Sequence, residues 1–184
     1  MYLLDIVILG FLIGWLRKGR IENLGYIPLR GVIWFIALGA LDLMMQLTQA
    51  PERRVLYQIL IMGSALVALF LLMFNHRLPG VKLVLIGLVL NLLVMGANGG
   101  RMPVSTWAAQ ASGQGKFLPL LTSGESSRHV VLGPSTHLPY LADLIPIPPP
   151  YPAARVLSVG DLFVFAGMIW LMVWGMKSSR SEAK

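Results

Sequence analysis

An all-α polytopic membrane helix bundle is what this sequence predicts, on three observations. Of its 184 residues, 56% are hydrophobic and only 12% charged, an apolar content above that of soluble domains and a charge about half of theirs. The apolar residues gather in five runs, near 2–16, 29–48, 55–74, 80–97 and 157–176, each close to the ~20 residues a helix needs to cross a bilayer. Most of the basic residues stand between those runs. The net charge of +7 is therefore read as membrane orientation, with no nucleic-acid partner expected. The chain, 1–184, is read as a single membrane domain whose segment 98–156 lies between the fourth and fifth helices. It has no cysteine, which excludes disulfides, thiolate metal sites and cysteine nucleophiles.

The first run, 2–16, is followed by its basic cluster Arg17, Lys18 and Arg20. A signal peptide would place that cluster ahead of the run, so a retained helix is expected. Placing 17–28 in the cytoplasm puts Arg30, Arg77, Lys82, Lys177, Arg180 and Lys184 on the same side. The short loop 49–54 and the segment 98–156 then lie outside, with the N-terminus outside and the C-terminus inside.

In the second run Asp42 and Gln46 are one turn apart, and Gln58 stands just inside the third. Asn91 and Asn98 in the fourth are seven apart and share a face. The fifth opens with Ser158-x-x-Asp161, a capping-box pattern that places a carboxylate at a positive helix end. With Asp5, these positions all fall in the outer half of the bundle. Ionisable groups within spans are costly, and such a cluster points to a functional site. Interhelical hydrogen-bond glue explains the same residues without chemistry.

The outer segment is expected to be a partly helical lid. "VSTWAAQA" reads as a short helix begun by Pro103, with Trp107 at the membrane interface. "TSGESSR" reads as an excursion, "PSTHLPYLADLIP" as a second short helix, and "IPIPPPYP" as an extended polyproline strap. On that reading Asp143 lies near a negative helix end and needs a partner, with Arg101, Arg128, His137 and Arg155 available. In "NGGRMPV", Asn98 ends the polar face, Gly99 and Gly100 allow a sharp turn, and Arg101 brings a cation among the acids.

"NGGRMPV", "HLPYLADLIPIP" and "LSVGDLFVFAG" together resemble an uncharacterised family of small bacterial integral membrane proteins, over most of the chain. That resemblance implies the bacterial cytoplasmic membrane but no activity. Residues 140–175 also resemble lipoprotein signal peptidase (signal peptidase II), whose two catalytic aspartates Asp143 and Asp161 would match. Ser158 stands where that enzyme has asparagine, and its Asn-x-Gly-Ala-Ala-Phe and Gly-Asn-x-x-Asp-Arg elements are absent. The resemblance implies a pair of acids at the outer membrane boundary. The chemistry of such a pair is that one carboxyl keeps a proton while the other, as general base, activates water against an ester or amide carbonyl.

The expected function is thus an integral membrane protein with an outward-facing polar pocket, acting as an aspartate-dyad hydrolase of lipid-linked or membrane-embedded substrates. Asp143 and Asp161 are its catalytic candidates; Asn98, Arg101, Asn91, Asp42 and His137 are its substrate- or headgroup-binding candidates. The alternative is a non-catalytic lipid or small-molecule binding protein, or an accessory subunit of a membrane complex. Membrane lipid is the expected partner, with a lipid-linked substrate or a membrane protein besides, and no cofactor or metal is expected. A transporter is disfavoured because the polar groups stop in the outer half and no inverted repeat is visible.

Overall fold

The computed structural model describes residues 2–47, 53–150 and 155–178 and is mostly helical. Thr48 and most of the 49–54 loop, the strap residues 151–154, and Arg180 and Lys184 lie outside the described residues. So do the side chains of Asp5 and Gln46. The apolar runs form α1 (Tyr2–Leu16), α2 (Val32–Leu47), α3 (Arg54–Met73) and α4 (Val81–Ala97). The outer segment follows as β1 (Met102–Val104), α5 (Thr106–Ala111), α6 (Leu118–Thr122), β2 (His129–Val131), β3 (Ile145–Ile147) and β4 (Arg155–Leu157). The last apolar run forms α7 (Val159–Lys177). Val55–Met73 and Val159–Lys177 are long and apolar enough to cross a membrane; Ile6–Leu16, Val32–Met45 and Val81–Ala97 are apolar but shorter.

Glycine decides how the helices meet. A Cβ added at Gly87 would strike the Gly160 carbonyl oxygen, and one at Gly80 the Gly167 carbonyl oxygen. Both pairs are seven residues apart, so α4 and α7 run antiparallel with their backbones in near contact, an approach only small residues allow. On another face of α7, Gly10 and Gly14 of α1 make room for Met172 and Met176, and Gly175 makes room for Ile27. The central helix is therefore α7, with α3 on α4 and α2 on α3 further out. Gly80, at φ +82, turns the chain into α4 immediately after Pro79.

Large apolar side chains face outward along every long helix. They include Leu12, Trp15, Ile33, Trp34, Ile36, Ile59, Phe70, Leu93 and Trp170.

The outer segment departs from the expected helical lid. α5 is present, but it begins at Ser105, whose Oγ accepts the Ala108 N–H at 3.3 Å, while Pro103 sits within β1. β1 pairs in parallel with β2, Met102 opposite His129, and Val104 forms a further parallel bridge with Asp143. β3 pairs antiparallel with β4. The second lid helix is absent: only a 3-10 turn, Pro139–Leu141, precedes an extended run. Leu138 enters that turn at φ +52, and the prolines at 139 and 146 supply no helical N–H donors. The start of the strap, Ile145–Ile147, is likewise a strand, because Ile145 and Ile147 are β-branched and a two-stranded edge tolerates Pro146 between them. Val104, Ala108, Ala109 and Val156 form the buried core of this cap, with Leu118 against it.

Candidate functional site

The site begins where the C-terminal half of α4 meets the start of α7. Ser158 precedes α7 in an extended conformation; its Oγ accepts the Asp161 N–H at 3.0 Å, and Asp161 Oδ2 accepts the Ser158 N–H at 3.0 Å. The capping box read from the spacing is thus formed. Asn91 reaches across from α4 into the same group. Its Nδ2 donates to Asp161 Oδ1 at 2.9 Å, and its Oδ1 accepts from Ser158 Oγ at 2.9 Å. Four hydrogen bonds close a ring joining two helices. The ring depends on Gly160, since a Cβ there would strike the Asn91 amide.

Asp143 approaches from the cap. Its N–H donates to the Pro103 carbonyl at 2.9 Å and its own carbonyl accepts the Ser105 N–H at 3.0 Å, so β1 fixes its backbone. The residue is only 6% exposed. Being extended, it does not face the negative helix end expected from its sequence context. Burial, and after it the charge of Asp161, push its carboxyl up to about 8. Asp143 is thus held toward its protonated form, and the charge of Asp161, eighteen residues on, adds to the effect of burial.

The side chain nearest the Asp143 carboxyl in an ionic sense is His129, with Nε2 3.9 Å from Oδ2. Partial burial in the cap, with the neighbouring Arg128 adding to it, pushes the imidazole down to about 4. At neutral pH both partners are uncharged, so the contact pairs an acid with a neutral imidazole and is not a salt bridge. The His129 ring keeps 38% of its surface exposed and is the accessible side of an otherwise enclosed carboxyl.

The other expected residues are placed around this centre and act separately. Asp42 on α2 forms an ion pair with Arg128, which ties the outer segment to the second helix. Asn98 holds the backbone of His137: its Nδ2 donates to the His137 carbonyl at 2.9 Å and its Oδ1 accepts the His137 N–H at 3.0 Å. The exposed His137 thus contributes backbone to the contact. Arg101 reaches the Gly124 carbonyl through Nη1 at 3.4 Å, and its Nε is buried with no acceptor among the described residues. Arg155 is buried with its guanidinium 6.0 Å from the Phe165 ring centre, a cation–π contact. Of the four partners offered for Asp143 by the sequence, Arg128 pairs with Asp42 instead.

Two contributors are not legible in the sequence. His129 belongs to no motif, and only the β1–β2 pairing brings it beside Asp143. Ser158 stood as a cap alone, and its hydroxyl also binds Asn91. The pairing of β1 with β2 joins segments more than twenty residues apart, so no local spacing announces it. Among the described residues no group of three or more His, Cys, Asp or Glu could hold a metal ion.

Comparison with known proteins is consistent with the expected uncharacterised family. The family described as "Family of unknown function (DUF5317)" matches residues 26–173. An uncharacterised protein of Thermotoga maritima is 30% identical over 171 residues, covering 93% of this chain and 90% of that protein. No solved structure matches the chain.

Proposed function

Because the chain belongs to the DUF5317 family, whose description names no activity, we propose from its own residues that it is a five-helix integral membrane protein with an outward-facing acid site. The membrane reading rests on the large apolar side chains presented outward by all the long helices, a surface a soluble monomer does not expose. The helices shorter than a full span are completed by flanking residues or by local thinning of the bilayer.

The site acts as an aspartate pair on an ester or amide of a lipid-linked or membrane-embedded substrate. One observation carries this reading: Asp143 is a carboxyl only 6% exposed, pushed up to about 8 by that burial and by the charge of Asp161. Asp161 is the base, taking a proton from a water whose oxygen attacks the carbonyl carbon. Asp143 gives its proton to the carbonyl oxygen as the tetrahedral intermediate forms. The intermediate collapses with loss of the alcohol or amine, which leaves with the proton held by Asp161, and the carboxyl product's proton restores Asp143. Arg101, with a buried donor unmatched at the same end of the molecule, binds an anionic headgroup.

A second reading has its own support. Both Asp161 oxygens already accept hydrogen bonds within the capping ring, which suits a protein that binds lipid or a membrane partner without catalysis. Asp143→Asn separates the two, since asparagine has nearly the shape and charge of a protonated aspartate. The variant should melt in detergent no lower than the unaltered protein while its hydrolysis of ester- and amide-linked lipids in proteoliposomes falls at least a hundredfold. Hydrolysis that is equal in Asp143→Asn, Asp161→Asn and the unaltered protein, or absent from all three, sinks the enzyme and leaves the binding protein.

A further inference from the structure

At the opposite end of the bundle from the cap, α4 begins beside Gly167 while α7 runs on to Lys177. The turn between α3 and α4 therefore forms a ledge on the flank of α7. Under that ledge is a recess of about 490 Å³ lined by His76, Arg77, Pro79, Gly80, Lys82 and Trp170, among others. Its volume lies in the range of small-molecule sites.

Three features of the lining belong together. The Arg77 and Lys82 side chains are exposed, and the ion pairs among the described residues, Arg20 with Glu22 and Arg128 with Asp42, involve neither. Among the described residues no acidic side chain lines the recess. Trp170 is 55% exposed and presents an amphipathic ring beside the two cations, as tryptophan does at membrane interfaces. The ledge itself is held firmly: Asn75 accepts the Arg30 N–H at 2.8 Å and donates to the Arg30 carbonyl at 3.0 Å and the Leu71 carbonyl at 2.9 Å. Gly80 and Gly167 lock the other side.

We propose that this recess binds the phosphate headgroup of an anionic phospholipid, with Arg77 and Lys82 on the phosphate and Trp170 against the glycerol and the first acyl methylenes. Basic pockets between helices at a membrane surface recognise anionic headgroups in this way. The proposal rests on the membrane reading above, which is tested separately by whether alkaline carbonate leaves the protein in the membrane pellet.

The full chain in neutral detergent is titrated with short-chain phosphatidylglycerol, with phosphatidylcholine and with inorganic phosphate, reading lipid-bound species by native mass spectrometry and melting temperature in parallel. Phosphatidylglycerol is expected to bind at least tenfold more tightly than phosphatidylcholine, and less tightly as salt rises. The double variant Arg77→Gln with Lys82→Gln should lose that preference at an unchanged lipid-free melting temperature, and Arg77→Lys with Lys82→Arg should retain it. Equal binding of the two lipids, or an unchanged preference in the double glutamine variant, overturns the proposal. Inorganic phosphate binding as tightly as phosphatidylglycerol overturns the lipid and identifies free phosphate as the ligand.

Discussion

At the residue scale, Asp143 makes stability depend on pH in a definite direction. Its folded value, about 8, is above the ordinary carboxyl value, so the stability it contributes is present below about pH 4 and is lost as pH rises through 8. His129 has the opposite sign: its folded value, about 4, is below the ordinary one, so its contribution is present above about 6.5 and is lost as pH falls through 4. The two slopes oppose each other between about 4 and 6.5, leaving Asp143 alone between about 6.5 and 8. Melting in detergent across that upper window should show stability falling as pH rises, by up to about 1.4 kcal/mol per unit. Asp143→Asn should be flat there, and a slope surviving in the variant refutes the assignment. The cap next to it has a simpler signature. Ser158→Ala loses both the N-cap and the bond to Asn91, and should cost about 1–2 kcal/mol of stability at any pH.

Among the elements, the contact of α4 with α7 is the one that tolerates least. Leucine at Gly87 or Gly160 would place a side chain into the opposing backbone, so each should abolish a monodisperse folded peak in size-exclusion chromatography. Gly63 on α3 has no atom within 4 Å of where its Cβ would be; Gly63→Ala should be neutral or stabilise by up to about 1 kcal/mol through helix propensity. If all three behave alike, close packing is not what distinguishes these glycines. The long helices were legible in the sequence because a run of apolar residues is a local property. The capping box was legible for the same reason, since Ser158 and Asp161 are three residues apart. The four strands of the cap were not: β1 meets β2, and Val104 meets Asp143, across long stretches of chain. A short proline-containing segment such as Ile145–Ile147 reads as strap or strand alike until its partner is known.

For the whole molecule, the absence of cysteine makes orientation directly measurable. Glu125 is exposed in the cap and Lys82 at the ledge, so single cysteines at these positions report opposite ends of the bundle. In intact cells a membrane-impermeant maleimide should label Glu125→Cys and spare Lys82→Cys until the membrane is opened. The reverse pattern inverts the orientation, and equal labelling of both in sealed cells contradicts a bundle that spans the membrane.

What the sequence by itself determined is the set of apolar helices, the polar residues at one end of them and the cap of α7, because each is written in neighbouring residues and follows from helical periodicity and transfer free energy. Only the tertiary structure decided which polar groups meet. It brought Asn91 into the Asp161 cap, set His129 beside Asp143, sent Arg128 to Asp42, and left Arg77, Lys82 and Trp170 around one recess. Those meetings depend on glycine-to-backbone approach between α4 and α7 and on strand pairing in the cap, both of which are contacts between residues distant in the chain. The protonation of Asp143 follows from the same cause, since burial and the field of Asp161 exist only once the two segments are packed together.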